Sequence, residues 1–370
     1  MQRLFQQGRP TPDHAGYPDL GPRGDQPVQH LRDEGRFDEP NLDGSRGDYI
    51  SFDSWEWPQG VGLYGLFRAW EASGRADQLA LLQGWYARQL AQPLPPLNVN
   101  TTAPMLALAL LNGHEHDPAL KRAANAWAER VMTELPRTVE GGFEHLVSDK
   151  VNPGELWIDT LFMVVLFLAA HGKVTDRPDL VAEAERQVLV HLRYLADRET
   201  GLWFHGWTFD GCHNFARARW ARGNSWAIAG LLDYLDIAQP TGGVRPFLEG
   251  CIRRHAEALL VHQDPTGGWH TLLDDPGSYL EASGSAGIAY GFLRGARLKL
   301  LGEEYRRAGL KAIAWVVGNI DAQGTLQKVS YGTRMGHDLQ FYREIPCQPT
   351  AYGQALALLL LTEAMHHVGA

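Results

Sequence analysis

Residues 201–235 combine aromatic, cationic and histidine side chains in a loop that runs directly into an apolar segment. A surface loop is normally built from small polar turn residues. The large planar groups here, Trp203, Trp207, Trp220 and the segment 222–226, therefore indicate a ligand site. Aromatic faces cover the apolar face of a sugar ring, and an arginine offers a planar fork to a carboxylate. We predict a polar, anionic ring compound as the ligand; the alternative is that the tryptophans plug the end of a helical barrel.

Asp159 is the second candidate for chemistry, because it interrupts the most apolar stretch of the chain, residues 154–171. That stretch is apolar on every side and predicts a buried helix. A carboxylate there must either have a partner or keep its proton to an unusually high pH, and such a group is suited to general acid/base catalysis. The alternative is a structural Asp bound to backbone NH groups at a helix end. Trp157 and the preceding long loop place Asp159 near the aromatic-rich end, which favours a function.

Other polar side chains could complete such a site. An ordinary glycosidase needs two carboxylates, and Glu155 and Glu281 are candidates for the second. Glu281 is equally suited to the first turn of a helix, where the helix dipole favours an acid, so the pair stays open. Asn100 could hydrogen-bond a ligand, and His145 and His205 occupy equivalent turns of two long loops, although a single histidine is more often structural.

The elements that must position these residues are helices, because apolar residues recur at spacings of three and four from Trp57 onward. They are predicted at 57–73, 76–92, 101–113, 117–135, 154–171, 178–196, 222–237, 243–262, 281–300, 303–318 and 348–367. Short strand pieces are expected only in loops, such as 325–330.

The connections between these helices alternate between short and long. Short connections make antiparallel hairpins, so the long ones, at 136–153, 197–221, 263–280 and 319–347, should all lie at one end of the molecule. A glycine-containing turn opens in each of them, at Gly141, Gly201, Gly267 and Gly324. A repeat of roughly 60 residues with an inner and an outer helix predicts an all-α toroid closed as one domain. An open solenoid is the alternative.

Composition and charge exclude several classes of protein. The chain has 370 residues, a net charge of -9, 12 Trp and 15 His, which argues against a nucleic-acid partner and for a binding cleft. Cys212, Cys251 and Cys347 are far apart and form no CxxC pair, so neither disulfides nor zinc are expected. The first 50 residues contain no apolar secretory segment, and the longest apolar run is too short for a membrane span. We expect a cytoplasmic protein with no membrane partner, in which an irregular arm (1–50) precedes the catalytic domain (51–370).

Three motifs in order, Glu155 to Met163, Gly201 to Trp207 and Trp220 to Trp226, resemble those of the unsaturated rhamnogalacturonyl hydrolases of glycoside hydrolase family 105. These enzymes are related to the unsaturated glucuronyl hydrolases of family 88. The resemblance extends from about Trp55 to the C-terminus, with residues 329–333 also similar. It implies an (α/α)6 barrel that removes a 4,5-unsaturated galacturonyl or glucuronyl unit from the non-reducing end of lyase-generated oligosaccharides, without a metal or cofactor.

The resemblance also implies roles for particular residues. Asp159 would be the general acid/base, and one acid suffices because the ring double bond is hydrated and no covalent nucleophile is needed. The substrate would be bound by Asn100, His145, Trp157, His205, Trp220, Arg222, Trp226 and Thr333. Many members carry a second aspartate where this chain has Asn100, which leaves the identity of the uronide open.

Two other functions remain open at this stage. A sugar epimerase or isomerase can use the same toroid with histidine bases, and a carbohydrate-binding toroid would need no catalytic acid. The protein is expected to be a monomer or a homodimer.

Overall fold

The computed structural model describes residues 41–42 and 48–367. In chain order the helices are α1 (Trp57–Ser73), α2 (Ala76–Leu90), α3 (Val99–Thr102), α4 (Pro104–Glu115), α5 (Pro118–Glu134), α6 (Leu166–Thr175), α7 (Pro178–Leu195), α8 (Ala221–Ala238), α9 (Val244–Val261), α10 (Ala282–Arg297), α11 (Glu303–Gly318), α12 (Leu339–Arg343) and α13 (Ala351–Ala364). A π-helical segment, Leu161–Val165, leads directly into α6. Most predicted helices are confirmed to within a few residues, and the short helix α12 was not predicted.

Six helices form a closed inner ring in which α1, α4, α6, α8, α10 and α13 each pack on the next and α13 returns to α1. The inner helices are buried on nearly all sides; every residue of α8 from Ala221 to Leu235 is buried. The outer helices α2, α5, α7, α9 and α11 bury one face only, as the spacing of Leu180, Ala184 and Val188 in α7 illustrates. The predicted α/α toroid is therefore confirmed, and the open solenoid is excluded.

The long connections share one local structure. Gly141, Gly201, Gly267 and Gly324 have φ angles of 77°, 85°, 109° and 83°, in the left-handed region that glycine adopts without a steric penalty. The predicted repetition of this turn is confirmed.

Two small antiparallel sheets connect these loops. Strand β1 (Glu155–Trp157) pairs with β2 (Gly206–Thr208), and β3 (Trp269–His270) pairs with β4 (Leu280–Glu281). The predicted helix at 154–171 is thus wrong at its start, because 155–157 form a strand. An apolar run fits a buried strand as well as a buried helix, and the partner in β2 lies about 50 residues further along the chain, where local periodicity gives no information. In the segment 325–330 only isolated bridges form, at Leu326 and Ser330.

A buried polar cluster joins three inner helices at the end of the ring opposite the long loops. Asp233 of α8 accepts hydrogen bonds from Tyr64 Oη (2.9 Å), Tyr290 Oη (2.8 Å) and Arg294 Nε (3.0 Å). Asp233 is fully buried and Arg294 is only 1% exposed. Burial of an ion pair is tolerated when further hydrogen bonds satisfy its atoms, and here they tie α1, α8 and α10 together.

None of the described helices combines the length and apolarity needed to cross a bilayer. Most of the predicted arm, residues 1–40 and 43–47, lies outside the described residues. The division into an arm and a catalytic domain stays a prediction.

Candidate active site

A cleft of about 820 Å³, open to solvent, lies at the long-loop end of the ring. Seven of the predicted site residues line it: Asn100, His145, Trp157, Asp159, Trp220, Arg222 and Thr333. The cleft therefore brings most of the predicted residues together at the end where the long loops meet; their role as an active site stays a prediction.

Asp159 lies in the turn between β1 and the π-helical segment, at the start of an inner helix. Its backbone carbonyl accepts hydrogen bonds from Phe162 N and Met163 N, both at 3.0 Å, so the residue begins the helical structure. Its side chain is 18% exposed, while Oδ2 is buried and has no hydrogen-bond partner among the described residues. Oδ2 faces His205 Nε2 at 3.7 Å. The carboxyl group thus borders both the cleft and a buried histidine.

The surroundings of Asp159 favour its charged form. Burial raises its pKa, but the neighbouring His205, His145 and Arg222 outweigh burial and hold the pKa below its ordinary value. Burial also lowers the pKa of His145 to about 3, so that imidazole is neutral. Of the two states expected from sequence, a partnered carboxylate or a retained proton, these surroundings favour the carboxylate, which faces His205 Nε2 at 3.7 Å without a hydrogen bond.

His145 and Trp157 form one wall of the cleft. Their rings stack with centroids 4.3 Å apart and an interplanar angle of 13°. His145 Nδ1 lies 3.1 Å from Thr160 Oγ1, and Trp157 Nε1 donates to Glu155 Oε2 at 2.7 Å. Glu155 therefore orients Trp157, and it is absent from the residues that line the cleft.

Arg222, which also lines the cleft, is held rigidly by hydrogen bonds to three residues. Its Nη1 donates to Ser283 Oγ (3.2 Å), Ser330 O (2.9 Å) and Ser330 Oγ (2.7 Å), and its Nη2 donates to Thr333 Oγ1 (2.7 Å). Glu281 fixes both serines, because its carboxylate accepts from Ser283 N (3.0 Å), Ser283 Oγ (2.7 Å) and Ser330 N (2.9 Å). Glu281 is a fully buried N-cap of α10. Its role as a helix-terminal residue, left open by the sequence, is confirmed.

Aromatic rings enclose the Arg222 guanidinium, whose carbon lies 4.5 Å from the Trp220 ring centroid and 4.7 Å from that of Tyr352. Arg222 Nε is buried and has no hydrogen-bond partner among the described residues. Cation–π contacts and fixed hydrogen bonds lower the entropy lost when a guanidinium binds an anion. Arg222 therefore has donor capacity left for a carboxylate.

Two predicted residues do not line the cleft. His205 is 1% exposed and lies behind Asp159, where its ring packs at 4.4 Å from Trp220. Trp226 is fully buried and packs against Phe162 (5.0 Å) and Trp57 (6.2 Å). Trp226 thus belongs to the core beneath the site and supports Trp57, which does line the cleft.

The remaining tryptophans of the aromatic loop also lie outside the lining of the cleft. Trp203 is 2% exposed and part of the core, and Trp207 packs against Tyr194 at 5.2 Å. The alternative that tryptophans close the end of the barrel therefore holds for Trp203 and Trp226. Trp220 is also buried, at 1% exposed, but it borders the cleft.

Asn100 is linked to a carboxyl group that the sequence interpretation missed. Its side chain hydrogen-bonds Glu56, which also accepts from Ser148 Oγ at 2.7 Å. Burial raises the pKa of Glu56 to about 7. Glu56 directly precedes α1 as its N-cap, and nothing in its local pattern distinguishes it from a surface acid.

Other residues at the mouth of the cleft come from distant parts of the chain. Arg334 Nη2 donates to Asp149 Oδ2 at 2.6 Å, although 185 residues separate them. Lys150 lies beside this pair, and Asn41 and Tyr49 of the predicted arm also line the cleft. Only folding brings these side chains together, so local spacing could not identify them.

Several known proteins are similar to this chain over most of its length. Residues 39–368 match the profile of Glycosyl Hydrolase Family 88. The unsaturated rhamnogalacturonyl hydrolase YesR of Bacillus subtilis is 33% identical over 84% of this chain and 90% of its own length. Crystal structures of possible GH105 family members from Salmonella enterica and Klebsiella pneumoniae share 43% and 41% identity with this chain.

Both crystal structures superpose with a TM-score of 0.87; the first covers 92% of each chain, and the second covers 97% of this chain and 96% of that one. The resemblance seen in the sequence motifs is thus confirmed over nearly the whole chain. The chain belongs to Glycosyl Hydrolase Family 88.

Proposed function

We propose that this protein removes a 4,5-unsaturated uronyl unit, galacturonyl or glucuronyl, from the non-reducing end of oligosaccharides produced by polysaccharide lyases. The observation that carries the proposal is the presence, in one cleft, of the Asp159 carboxyl group and the rigidly held guanidinium of Arg222. One proton donor and one receptor for a carboxylate are what hydration of an unsaturated uronate requires. The name of the Bacillus subtilis relative agrees with this class of substrate.

In the proposed reaction Asp159 acts first as an acid and then as a base. Its proton goes to C4 of the ring double bond, and a water oxygen adds to C5 while Asp159 takes the water's proton. Water is thus added across C4 and C5, and the product is a hemiketal at C5. The bond from C5 to the ring oxygen then breaks, the C1 hemiacetal that results collapses to an aldehyde, and the aglycone leaves as an alcohol.

Asp159 has to take up its proton when the substrate binds, because the pKa of its carboxyl group is held below the ordinary value in the free protein. A uronate carboxylate bound to Arg222 would offset the cation that stabilises the Asp159 carboxylate. It would also bring a like charge into the site, and the sugar would displace water. All three changes raise the pKa of Asp159, so binding and proton uptake are coupled.

The test mixes the protein with unsaturated disaccharides from lyase-treated rhamnogalacturonan or ulvan. It measures the decrease in the ultraviolet absorbance of their conjugated double bond. The wild-type protein should consume at least one of them, with deuterium from D₂O incorporated at C4. Asp159→Asn should lower kcat by at least about 10³-fold, since it removes the proposed proton donor. Asp210→Asn, a change of an exposed acid in a neighbouring loop, is the matched control and should be fully active.

Two results would contradict the proposal. Undiminished absorbance across the disaccharide panel would exclude the hydration reaction, and saturable binding without turnover would then support a carbohydrate-binding toroid. Solvent exchange into an intact saturated sugar would support an epimerase. A cytoplasmic location and a monomeric or dimeric state belong to the same proposal, and size-exclusion chromatography with light scattering determines the oligomeric state.

A further inference from the structure

His205 lies directly behind Asp159 and is only 1% exposed. Its Nε2 atom faces Asp159 Oδ2 at 3.7 Å, and neither atom has a hydrogen-bond partner among the described residues. Its Nδ1 atom lies 2.8 Å from Tyr342 Oη. A neutral imidazole carries its proton on one nitrogen only. The contact at Nδ1 therefore determines whether Nε2 faces Asp159 with a proton or with a lone pair.

The surroundings of the Tyr342 hydroxyl indicate the direction of that hydrogen bond. Tyr342 Oη accepts from Gly336 N at 3.1 Å, so one of its lone pairs is occupied. Its own proton can go to His205 Nδ1 at 2.8 Å or to Met335 Sδ at 3.7 Å. A thioether is a weak acceptor and an imidazole nitrogen a good one. The hydroxyl therefore donates to Nδ1, and the imidazole proton resides on Nε2, opposite the Asp159 carboxylate.

The opposite tautomer would be unfavourable. With the proton on Nδ1, the Nε2 lone pair would face the carboxylate oxygen at 3.7 Å, and two buried acceptors would repel each other. The present distance exceeds that of a hydrogen bond, but such contacts in free enzymes often tighten when substrate binds.

We propose that Tyr342 is a positioning residue that fixes the tautomer of His205, so that Nε2–H faces Asp159 and stabilises its carboxylate. This inference rests on the proposed function, because it assigns Tyr342 a part in the acid/base cycle of Asp159. Tyr342 is fully buried and is absent from the residues that line the cleft, so it acts through His205.

Removal of the hydroxyl should have two consequences for turnover. The Asp159 carboxylate that forms when C4 is protonated loses a donor, which lowers kcat. The pKa of Asp159 rises for the same reason, and because the protonated form is the active one, the pH at which kcat/KM falls moves upward. His145 and Arg222 also face Asp159, and Asp338 lies near Tyr342; none of them is altered by the substitution.

The first experiment compares Tyr342→Phe with Tyr234→Phe. Tyr234 is 1% exposed, lies on the inner helix α8 away from the cleft, and its hydroxyl has no hydrogen-bond partner among the described residues, so it is a matched control. Tyr342→Phe should lower kcat by about 10- to 100-fold, the range found when an orienting hydrogen bond behind a site residue is removed. KM should change little, and the alkaline limb of kcat/KM should move to higher pH. Tyr234→Phe should leave both unchanged.

The second experiment reads the tautomer directly and needs no activity. In protein with ¹⁵N-labelled histidine, the His205 resonances, assigned by their loss in His205→Gln, should show a protonated Nε2 in the wild type and a mixture of tautomers in Tyr342→Phe. A protonated Nδ1 in the wild type would overturn the inference. So would a Tyr342→Phe enzyme with unchanged kcat and pH profile while Asp159→Asn is inactive, an outcome that leaves the proposed function intact.

Discussion

Replacement of Arg222 by lysine tests the proposed carboxylate receptor most directly. Lysine keeps the positive charge but loses the planar fork and the hydrogen bonds to Ser330 and Thr333 that hold it. Two charge-assisted hydrogen bonds to the uronate, at about 1.5 to 2 kcal/mol each, correspond to about 3 to 4 kcal/mol of transition-state binding. We therefore expect kcat/KM to fall by about 150- to 900-fold.

The assay is the decrease in double-bond absorbance with an unsaturated disaccharide, measured below KM. Arg217→Lys is the matched control, because Arg217 is exposed on the same loop and does not line the cleft. The methyl ester of the substrate adds a second comparison. It lacks the negative charge, so Arg222→Lys should affect its hydrolysis much less. If Arg222→Lys stays within about tenfold of the wild type, or affects acid and ester equally, Arg222 does not bind the carboxylate.

Two further predictions concern pH and stability. Asp159 must be protonated to act, and His205, His145 and Arg222 hold its pKa low in the free enzyme, so kcat/KM should decrease as pH rises. The decrease in kcat should occur at higher pH than that in kcat/KM, since substrate raises the pKa; initial-rate profiles that rise from acidic to neutral pH would contradict this. Asp233→Ala removes one of the two carboxylates that pair with the buried Arg294, the other being Asp236, and leaves the Tyr64 and Tyr290 hydroxyls without their acceptor. It should lower the free energy of unfolding by about 3 to 5 kcal/mol, measured by urea unfolding. A loss below about 1 kcal/mol would show that the pair contributes no more than a surface ion pair.

The boundary of the helix after β1 shows where sequence reasoning reached its limit. The apolar residues around Asp159 correctly predicted an inner, buried segment, but Glu155 to Trp157 form a strand because they pair with β2. The error matters for the chemistry, since Asp159 lies in the turn before the helix and its side chain reaches the cleft. The residues of α1, by contrast, were predicted with the bounds observed, because helical spacing and a proline at the first turn are local signals.

By itself the sequence determined the inner and outer helices and the long loops at one end, and it identified Asp159 and Arg222 as candidates for the chemistry. These follow from side-chain type and from periodicity over a few turns, which are properties of local chain segments. Tertiary structure alone decided that Trp226 is core, that Glu281 fixes the serines that hold Arg222, and that Tyr342 contacts His205. Those contacts join residues far apart in the chain, and they exist only because the ring closes and brings its long loops to one face.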